Sequence, residues 1–384
     1  MTAGLVLLML AGCAREPKLH LYDEATAEAS FPEVELALDV YWDYELAYGI
    51  TYDWRSEWFF PWDSIADGPI GYTKPTVFNL RRYYTGDVPR APHTQAPDAR
   101  VIYGTSFSDR YRFGFWDFLV WNYIEPVEGD DVLNINIDEQ TSLDFVTAFT
   151  NPTMKSTRYS APRFTRSFYT PEPLFAAYDQ GEEINENLDG FEYDEEKNVW
   201  IKQLNMTMLP VTYIYLTQVI LHNNRGRIDR VESDANLSGM ARSVCLNTGI
   251  TGSDAITVNY VVKKKDNCDY KPTETSPVEK VDIIGGRLLS FGMCNCNPNA
   301  VTRGDEIRDN AHHYMDVKVQ FNNGKDSTLV FNVTDQVRQL FKGGVITVEL
   351  DMDTVPIPSQ SGGSGFDAVV EDFTEETHEF SFEN

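Results

Sequence analysis

The stretch YMDVKVQFNNGKDSTLVFNV, residues 314–333, decides the fold of this chain. Apolar residues alternate with polar ones from Met315 to Phe321, and they alternate again from Leu329 to Val333. Alternation with a period of two residues predicts half-buried strands. Asn323-Gly324 between the two runs is a strong signal for a tight turn. The stretch therefore predicts an antiparallel β-hairpin.

Strand patterns recur on both sides of this hairpin. The run 211–221 is apolar on both faces, which is typical of a central strand covered by two layers. One helix is predicted, with Thr334 as its N-cap and Gly343-Gly344 after its end. The fold class is therefore predicted to be all-β, with one short helix and two tandem β-sandwiches. The other predicted strands are 34–42, 111–123, 132–137, 255–262, 281–289 and 346–352.

Composition shifts predict the domain organisation. Residues 150–173 are rich in Thr, Ser, Arg and Pro, and residues 356–365 are rich in Pro, Ser and Gly, which suits linkers. The predicted units are a signal peptide (1–12), a lipid-attached tether (13–33), a first sandwich (34–150), a linker (151–173), a second sandwich (174–355), and a Gly/Ser linker with an acidic tail (356–384).

The chain has 384 residues and a formal net charge of −27. Such a charge argues against nucleic acid and against anionic lipid as partners. After Met9, no apolar run approaches the ~20 residues that a membrane-spanning helix needs.

The N-terminal run Leu10-Ala11-Gly12-Cys13 follows an apolar stretch and is similar to a bacterial lipobox. Cleavage after Gly12 would make Cys13 a lipidated, palmitate-bearing N-terminus. Each buried CH₂ of an acyl chain contributes ~0.8 kcal/mol, so several chains form a lasting anchor. The predicted partner of Cys13 is membrane lipid. The predicted location is the outer membrane, with the cell surface favoured and the periplasmic face left open.

Four further cysteines are Cys245, Cys268, Cys294 and Cys296. An exported compartment permits disulfides, and Cys294 and Cys296 are too close in sequence to pair comfortably with each other. Free thiols and one or two disulfides remain open as alternatives. A zinc site that uses this Cys-x-Cys with His312-His313 is a minor third alternative. Calcium at the acidic and amide residues 128–138 is less favoured than a solvated strand face.

The usual catalytic motifs are absent from the sequence. There is no G-x-S-x-G, Walker A, H-E-x-x-H or G-x-G-x-x-G pattern. Carboxylate pairs are abundant because the chain contains 59 Asp and Glu residues, so no acid/base pair can be singled out. The sequence predicts a non-enzyme without cofactor or metal, and a hydrolase is the third-ranked function.

Aromatic residues crowd the segment from Trp54 through Trp58 to Trp62. Exposed indoles form flat platforms for sugar rings, because they combine apolar faces with a polar edge. Burial in the first sandwich is the favoured alternative, since large aromatics are mostly buried. If the rings are exposed, the segment predicts a glycan site with polysaccharide as a partner.

Several motifs together carry a family resemblance. The segments concerned are 81–87 (RRYYTGD), 91–94 (APHT), 114–122 (GFWDFLVWN), 237–240 (LSGM) and 343–351 (GGVITVELD). With these segments and the lipobox-like run, the chain resembles a Bacteroidales lipoprotein family of uncharacterised function that is related to FimB-like fimbrial anchor and fimbrillin-like proteins.

This resemblance implies two transthyretin-like, Greek-key sandwiches and a lipidated N-terminal cysteine, here Cys13. It implies a structural role for the chain, anchoring or assembling a fimbria-like surface polymer with fimbrillin-like subunits as partners. The alternative function is a surface glycan-binding lipoprotein that uses Trp54, Trp58 and Trp62.

Overall fold

The computed structural model describes residues 31–41, 52–124, 133–139, 142–156, 166–299, 311–358, 367–370 and 380–381. Within these residues the helical elements are short, namely α1 (Trp54–Glu57), α2 (Thr334–Gln339) and a 3-10 turn at Leu143–Phe145. Strands make up most of the rest, so the prediction of an all-β chain with two sandwiches is confirmed.

The first ten strands are β1 (Glu33–Val40), β2 (Val77–Gly86), β3 (Asp98–Tyr103), β4 (Ser106–Arg110), β5 (Gly114–Asn122), β6 (Ile135–Asp138), β7 (Thr147–Thr150), β8 (Pro152–Ser156), β9 (Arg166–Tyr169) and β10 (Phe175–Ile184). The next six are β11 (Glu192–Asp194), β12 (Val199–Pro210), β13 (Tyr213–His222), β14 (Ile228–Ala241), β15 (Ser243–Cys245) and β16 (Ala255–Tyr270). The last six are β17 (Glu279–Ser290), β18 (Tyr314–Phe321), β19 (Asp326–Asn332), β20 (Gly344–Asp351), β21 (Asp367–Val370) and β22 (Phe380–Ser381).

The first sandwich is a sheet of eight strands that folds over on itself. Its strand order is β3-β2-β5-β10-β12-β1-β4, and β11 also pairs with β12. β10 and β12 pair only at Phe175 and Ala176, so the sheet turns a corner there. Alternate residues of β1 and β2, such as Leu36 and Leu80, then meet in one core. Burial of each such side chain stabilises the fold by about 1.5–3 kcal/mol.

The second sandwich is a sheet of eleven strands. Nine of them have the order β20-β13-β17-β16-β14-β18-β19-β21-β22, β9 also pairs with β16, and β8 pairs with β9. The 16-residue strand β16 belongs to both layers, because its first half pairs with β14 and its second half pairs with β17. β13 lies between β17 and β20, and every residue from Tyr213 to Leu221 is buried. The prediction of a central strand covered on both faces is confirmed.

The predicted hairpin is present as β18 and β19. The two strands are antiparallel, and Met315 lies opposite Phe331. Gly324 adopts a φ of +78°, a conformation that is unfavourable for residues with a Cβ. The turn residue therefore has the backbone role that its sequence position indicated.

A sheet of three strands joins the two sandwiches. β7 pairs with β6 on one side and with β15 on the other. The cluster beneath this sheet combines Tyr83 and Trp121 of the first sandwich with Val244 and Phe291 from the second half. One apolar cluster therefore contains residues from both halves of the chain.

The strand pairing does not divide at the predicted linker, 151–173. β8 and β9, inside that linker, pair with each other, and β9 extends the second sheet along β16. β10, β11 and β12 follow the linker, yet they complete the first sheet. Apart from β8 and β9, the two large sheets divide between Pro210 and Tyr213, since β12 still belongs to the first sheet through its parallel pairing with β1. The limits of independently folding domains stay a prediction.

The helix α2 corrects one local expectation. Val333, and not Thr334, occupies the N-cap position. The Thr334 hydroxyl instead donates to Asn332 and accepts the backbone N–H of His313. The side chain therefore ties the helix start to neighbouring segments.

Candidate functional site

The tryptophan-rich segment does not fill the first sandwich. It lies across the outer face of the second sheet, where the backbone N–H of Phe59 donates to Oε1 of Gln218 at 2.9 Å. Nε2 of Gln218 donates to the carbonyl of Glu57 at 2.7 Å. Phe59 packs edge-on against Tyr270, with ring centroids 4.8 Å apart. This segment is therefore the second layer that buries β13.

The three tryptophans differ in exposure. Trp54 is 5% exposed and has no free face for a sugar ring, so the platform interpretation is wrong for this residue. Trp58 and Trp62 are half-buried and pack against a cluster around Phe60 and Ile283. Trp62 donates from Nε1 to the carbonyl of Gly68 at 2.8 Å, which holds its ring in place.

A cleft of about 440 Å³ opens beside Trp62. Its lining combines the aromatic segment with the outer face of β16 and β17. Nζ of Lys263 donates to the carboxylate of Asp67 and to the carbonyl of Ala66. The hydrogen bond from Lys263 is the main reason why the pKa of Asp67 is lowered. The other lining residues include Phe60, Thr73, Val261, Gly285, Arg287 and Leu289.

A Ser-His-Asp chain joins two of the motifs that carry the family resemblance. Nε2 of His93 lies 2.7 Å from Asp117, and Nδ1 lies 3.1 Å from Oγ of Ser142. The backbone N–H of Leu143 also donates to Nδ1, at 3.2 Å. Because that N–H can only donate, Nδ1 is an acceptor, and Nε2 carries the proton toward Asp117. The Nδ1 lone pair that would have to accept the proton of Ser142 in catalysis therefore also accepts the backbone N–H of Leu143, at the start of the 3-10 turn. This arrangement suits capping of the turn better than catalysis.

Among the titratable groups of the second sandwich, His222 and Asp316 have raised pKa values. His222 lies between Glu349 (3.1 Å) and Glu279 (3.0 Å), and the hydrogen bond to Glu349 is the main cause that raises the pKa of His222 to about 9. Burial raises the pKa of Asp316 to about 7, and a hydrogen bond from Asn236 offsets this only in part. Oδ2 of Asp316 is buried without a hydrogen-bond partner.

The four cysteines predicted as disulfide candidates form no disulfide bond with one another in the structure. Cys268, Cys294 and Cys296 pack in three different apolar clusters, which separates their sulfur atoms. Cys245 is half-exposed, and its thiol donates to the carbonyl of Asp144. The disulfide alternative is therefore not realised among these residues.

The remaining predicted sites fall partly outside the described residues. Cys13 and residues 128–132 of the predicted calcium segment 128–138 are among those outside them. His313 is fully buried, and its Nδ1 lies 3.2 Å from the carbonyl oxygen of Ser238. Across the described ranges, no group of three His, Cys, Asp or Glu residues is arranged to hold a metal ion. No helix in the same ranges is long and apolar enough to cross a membrane.

The two ends of the second sheet differ in their backbone partners. At one end β20 presents its edge, and the side chains of Tyr52 and Gln336 bond to the backbone of Val345 and Thr347. At the other end β21, from the C-terminal tail, pairs in parallel with β19, and β22 pairs with β21. The tail therefore covers an edge that would otherwise offer free N–H and C=O groups.

Comparison with known proteins gave matches only among solved structures. No protein-family model and no curated protein matches the chain. A candidate adhesin from Bacteroides ovatus ATCC 8483 shares 12% identity with a TM-score of 0.47, covering 90% of this chain and 99% of the other. A second candidate adhesin from Bacteroides ovatus shares 9% identity with a TM-score of 0.43, covering 92% and 96%.

The fimbrial anchor protein Mfa2 from Porphyromonas gingivalis shares 10% identity with a TM-score of 0.40, covering 91% of this chain and 95% of the other. These neighbours are adhesin and fimbrial proteins of the kind that the sequence resemblance indicated. All three TM-scores lie below 0.5, so the fold assignment depends on the strand pairing described above.

Proposed function

We propose that this chain is an outer-membrane lipoprotein with a structural role, anchoring or assembling a fimbria-like polymer on the cell surface. The observation that carries the proposal is the run Leu10-Ala11-Gly12-Cys13 after an apolar stretch. A lipid on Cys13 would hold the whole chain at a membrane, where an anchor has to remain. The resemblance to fimbrial anchor proteins supplies the class of role.

The second sheet supports an assembly role. Strand edges are the places where a second chain can add its own strand, with backbone hydrogen bonds supplying affinity. The β20 edge is bonded by side chains at Val345 and Thr347, and the β19 edge is covered by a tail segment. Because these edges are covered by a tail strand and by side chains, which an incoming strand can replace, we infer that partner subunits dock at this sheet.

Membrane fractionation tests the anchor. We expect the Cys13→Ala form to leave the outer-membrane fraction and appear in the soluble fraction, because it lacks the acceptor for the lipid. Cys245→Ala is the matched control, since that half-exposed thiol lies far along the chain, and we expect it to stay membrane-bound. A Cys13→Ala protein that remains with the membrane contradicts the lipid anchor.

Co-purification tests the polymer partner. The intact lipidated protein is captured from its native envelope, and bound proteins are identified by mass spectrometry. We expect fimbrillin-like subunits in the eluate, and shorter or detached surface polymers after deletion of the gene. Unchanged polymers together with an eluate free of such subunits would refute the structural role.

A further inference from the structure

The cleft beside Trp62 has features of a binding site. Its volume of about 440 Å³ lies in the range of pockets that take small molecules. Its floor is the outer face of β16 and β17, where Lys263 lies opposite Gly285. Gly285 leaves room for Phe60, because a Cβ there would lie 2.3 Å from the Phe60 ring. The aromatic segment is thereby seated as one wall of the cleft.

The charge of the cleft is opposite to that of the chain. Lys263 and Arg287 line it together with one carboxylate, Asp67, whereas the chain as a whole has a net charge of −27. The side chain of Lys263 is 45% exposed, so its ammonium is accessible from solvent. Arg287 donates to the carbonyls of Ile70 and Gly71, which fixes its guanidinium at the wall. A local excess of positive charge favours an anionic ligand.

The aromatic wall gives the ligand a second property. Trp62 and Phe60 are packed edge-to-face, with ring centroids 6.2 Å apart, and the hydrogen bond to Gly68 restrains the Trp62 ring. A restrained indole offers apolar surface at little entropic cost. Thr73 adds an exposed hydroxyl to the lining. A ligand that matches all of these groups has an apolar ring face, hydroxyls and a carboxylate.

We propose that this cleft binds an acidic sugar, a hexuronic acid residue of an anionic polysaccharide. The sugar ring packs against Trp62, and its carboxylate accepts charge-assisted hydrogen bonds from Lys263 and Arg287. Trp54 takes no part, and Lys263 and Arg287 come from strands far along the chain. The inference goes beyond the anchoring role and does not depend on it.

Calorimetric titration of the full chain in detergent tests the ligand class. The ligands are a galacturonic acid trimer and the galactose trimer of the same linkage. We expect saturable binding of the acidic trimer that weakens at high salt, because screening reduces the attraction to the two cations. We expect the neutral trimer to bind at least about tenfold more weakly, since a charge-assisted hydrogen bond contributes that much or more. Equal binding of both trimers, or no binding of either, overturns the proposal.

Matched variants test the residues. Lys263→Gln keeps a hydrogen-bond donor for Asp67 but removes the charge, and we expect about a tenfold loss of affinity for the acidic trimer. Lys280→Gln removes an exposed charge outside the cleft, and its affinity should stay at the wild-type value. Thermal unfolding confirms that each variant is folded. If both lysine variants bind alike, Lys263 has no role and the proposal fails.

A cleft-filling variant tests the position of the ligand without changing Trp62, whose substitution would disturb the packing of the aromatic segment. Val261 lines the cleft and is 57% exposed, so Val261→Trp adds bulk without removing a buried group. We expect it to abolish binding, whereas Trp200→Ala, at an exposed indole outside the cleft, should bind normally. Undiminished binding by Val261→Trp places the ligand elsewhere. Titration of the Cys13→Ala form should give wild-type affinity, which separates this test from that of the lipid anchor.

Discussion

The end strands of the two large sheets are completed in different ways. In the first sheet the end strands are β3 and β4, which follow one another in the chain and are separated only by Gly104 and Thr105. Arg82 of β2 is 6% exposed and forms ion pairs with Asp98 of β3 and Asp109 of β4. The two end strands of the first sheet are thus linked by a side chain of the sheet itself.

The second sheet is completed by segments from elsewhere in the sequence. The tail strand β21 covers β19, the segment around Trp58 covers β13, and Tyr52 bonds to β20. A sheet that closes on itself offers little to a partner, whereas a sheet finished by separate segments can exchange them. This contrast is why we locate the proposed assembly contacts on the second sandwich.

The largest expected effect concerns Asp316 in the second sandwich. The pKa of this carboxyl, raised to about 7, means that the protonated form is preferred in the folded state. Its contribution to stability is therefore present below the unfolded pKa near 3.8 and is lost as the pH rises through about 7. We expect Asp316→Asn to stabilise the protein by up to about 4 kcal/mol at pH 8 and to have no effect at pH 3.

Denaturant unfolding at the two pH values measures this difference. Asp326→Asn is the control, because Asp326 lies on the same hairpin but its side chain is 48% exposed. If Asp316→Asn changes the free energy of unfolding equally at pH 3 and pH 8, Asp316 does not titrate as described.

The next effect concerns the closure of the first sheet. We expect Arg82→Ala to lower the free energy of unfolding by about 3 kcal/mol, because it removes a buried, packed arginine side chain and both of its ion pairs to the partly exposed Asp98 and Asp109. Arg100 bonds to Asp98 and approaches Asp109, but its side chain is 46% exposed. Arg100→Ala should therefore cost less than about 1 kcal/mol. Equal losses in urea unfolding would show that burial does not distinguish the two arginines.

A third prediction tests how the aromatic segment is seated on the second sheet. Gly285→Ala places a Cβ 2.3 Å from the Phe60 ring, so we expect a loss of about 2 kcal/mol from overpacking. In a Phe60→Ala background the same substitution should cost less, because the Cγ and Cδ2 atoms that clash are gone. Urea unfolding of the four proteins gives the coupling free energy, and strict additivity would contradict the contact.

The smallest expected effect comes from His222. The raised pKa of about 9 means that its stabilising contribution is fully present below about pH 6.5 and is lost as the pH rises through about 9. The hydrogen bond to His222 is the main cause that lowers the pKa of Glu349, so the stabilising contribution of Glu349 is lost as the pH falls. Because the two glutamates are about half exposed, we expect His222→Gln to cost only about 1 kcal/mol at pH 6.

The same substitution should cost almost nothing at pH 10, where His222 is neutral in both states. Melting curves at pH 6 and pH 10 measure the difference. A larger loss at pH 10 than at pH 6 would reverse the sign and contradict the arrangement. Because both pKa values are raised in the folded state, the contributions of Asp316 and His222 are both lost as the pH rises, that of Asp316 up to about pH 7 and that of His222 up to about pH 9.

Local patterns predicted much of the fold. The alternation around Asn323-Gly324 gave the hairpin of β18 and β19, and the apolar run 211–221 gave the doubly covered strand β13. The pattern did not say what covers β13, because burial of a face does not identify its neighbour. Thr334 looked like a cap, yet tertiary partners at Asn332 and His313 take its hydroxyl.

The candidate site was only partly visible in the sequence. The tryptophan-rich segment pointed to Trp62, but nothing linked it to Lys263 or Arg287, which are about 200 residues away and part of an ordinary strand pattern. The run of three lysines at 263–265 in a strongly acidic chain was the one signal that could have drawn attention to this strand. His93 and Asp117 likewise belong to separate motifs that meet only in the folded chain.

The sequence by itself determined the hairpin turn, the lipobox-like run and the strands with a clear alternating or apolar pattern, such as β1, β13 and β18, because these depend on the spacing of neighbouring residues. Only the tertiary structure decided which strands share a sheet. β12 (Val199–Pro210), for example, pairs with β1 (Glu33–Val40), which lies far from it in the sequence. The tertiary structure alone placed the aromatic segment on the second sandwich and the two cations beside it. Strand pairing and side-chain contact depend on long-range packing, which local periodicity does not encode.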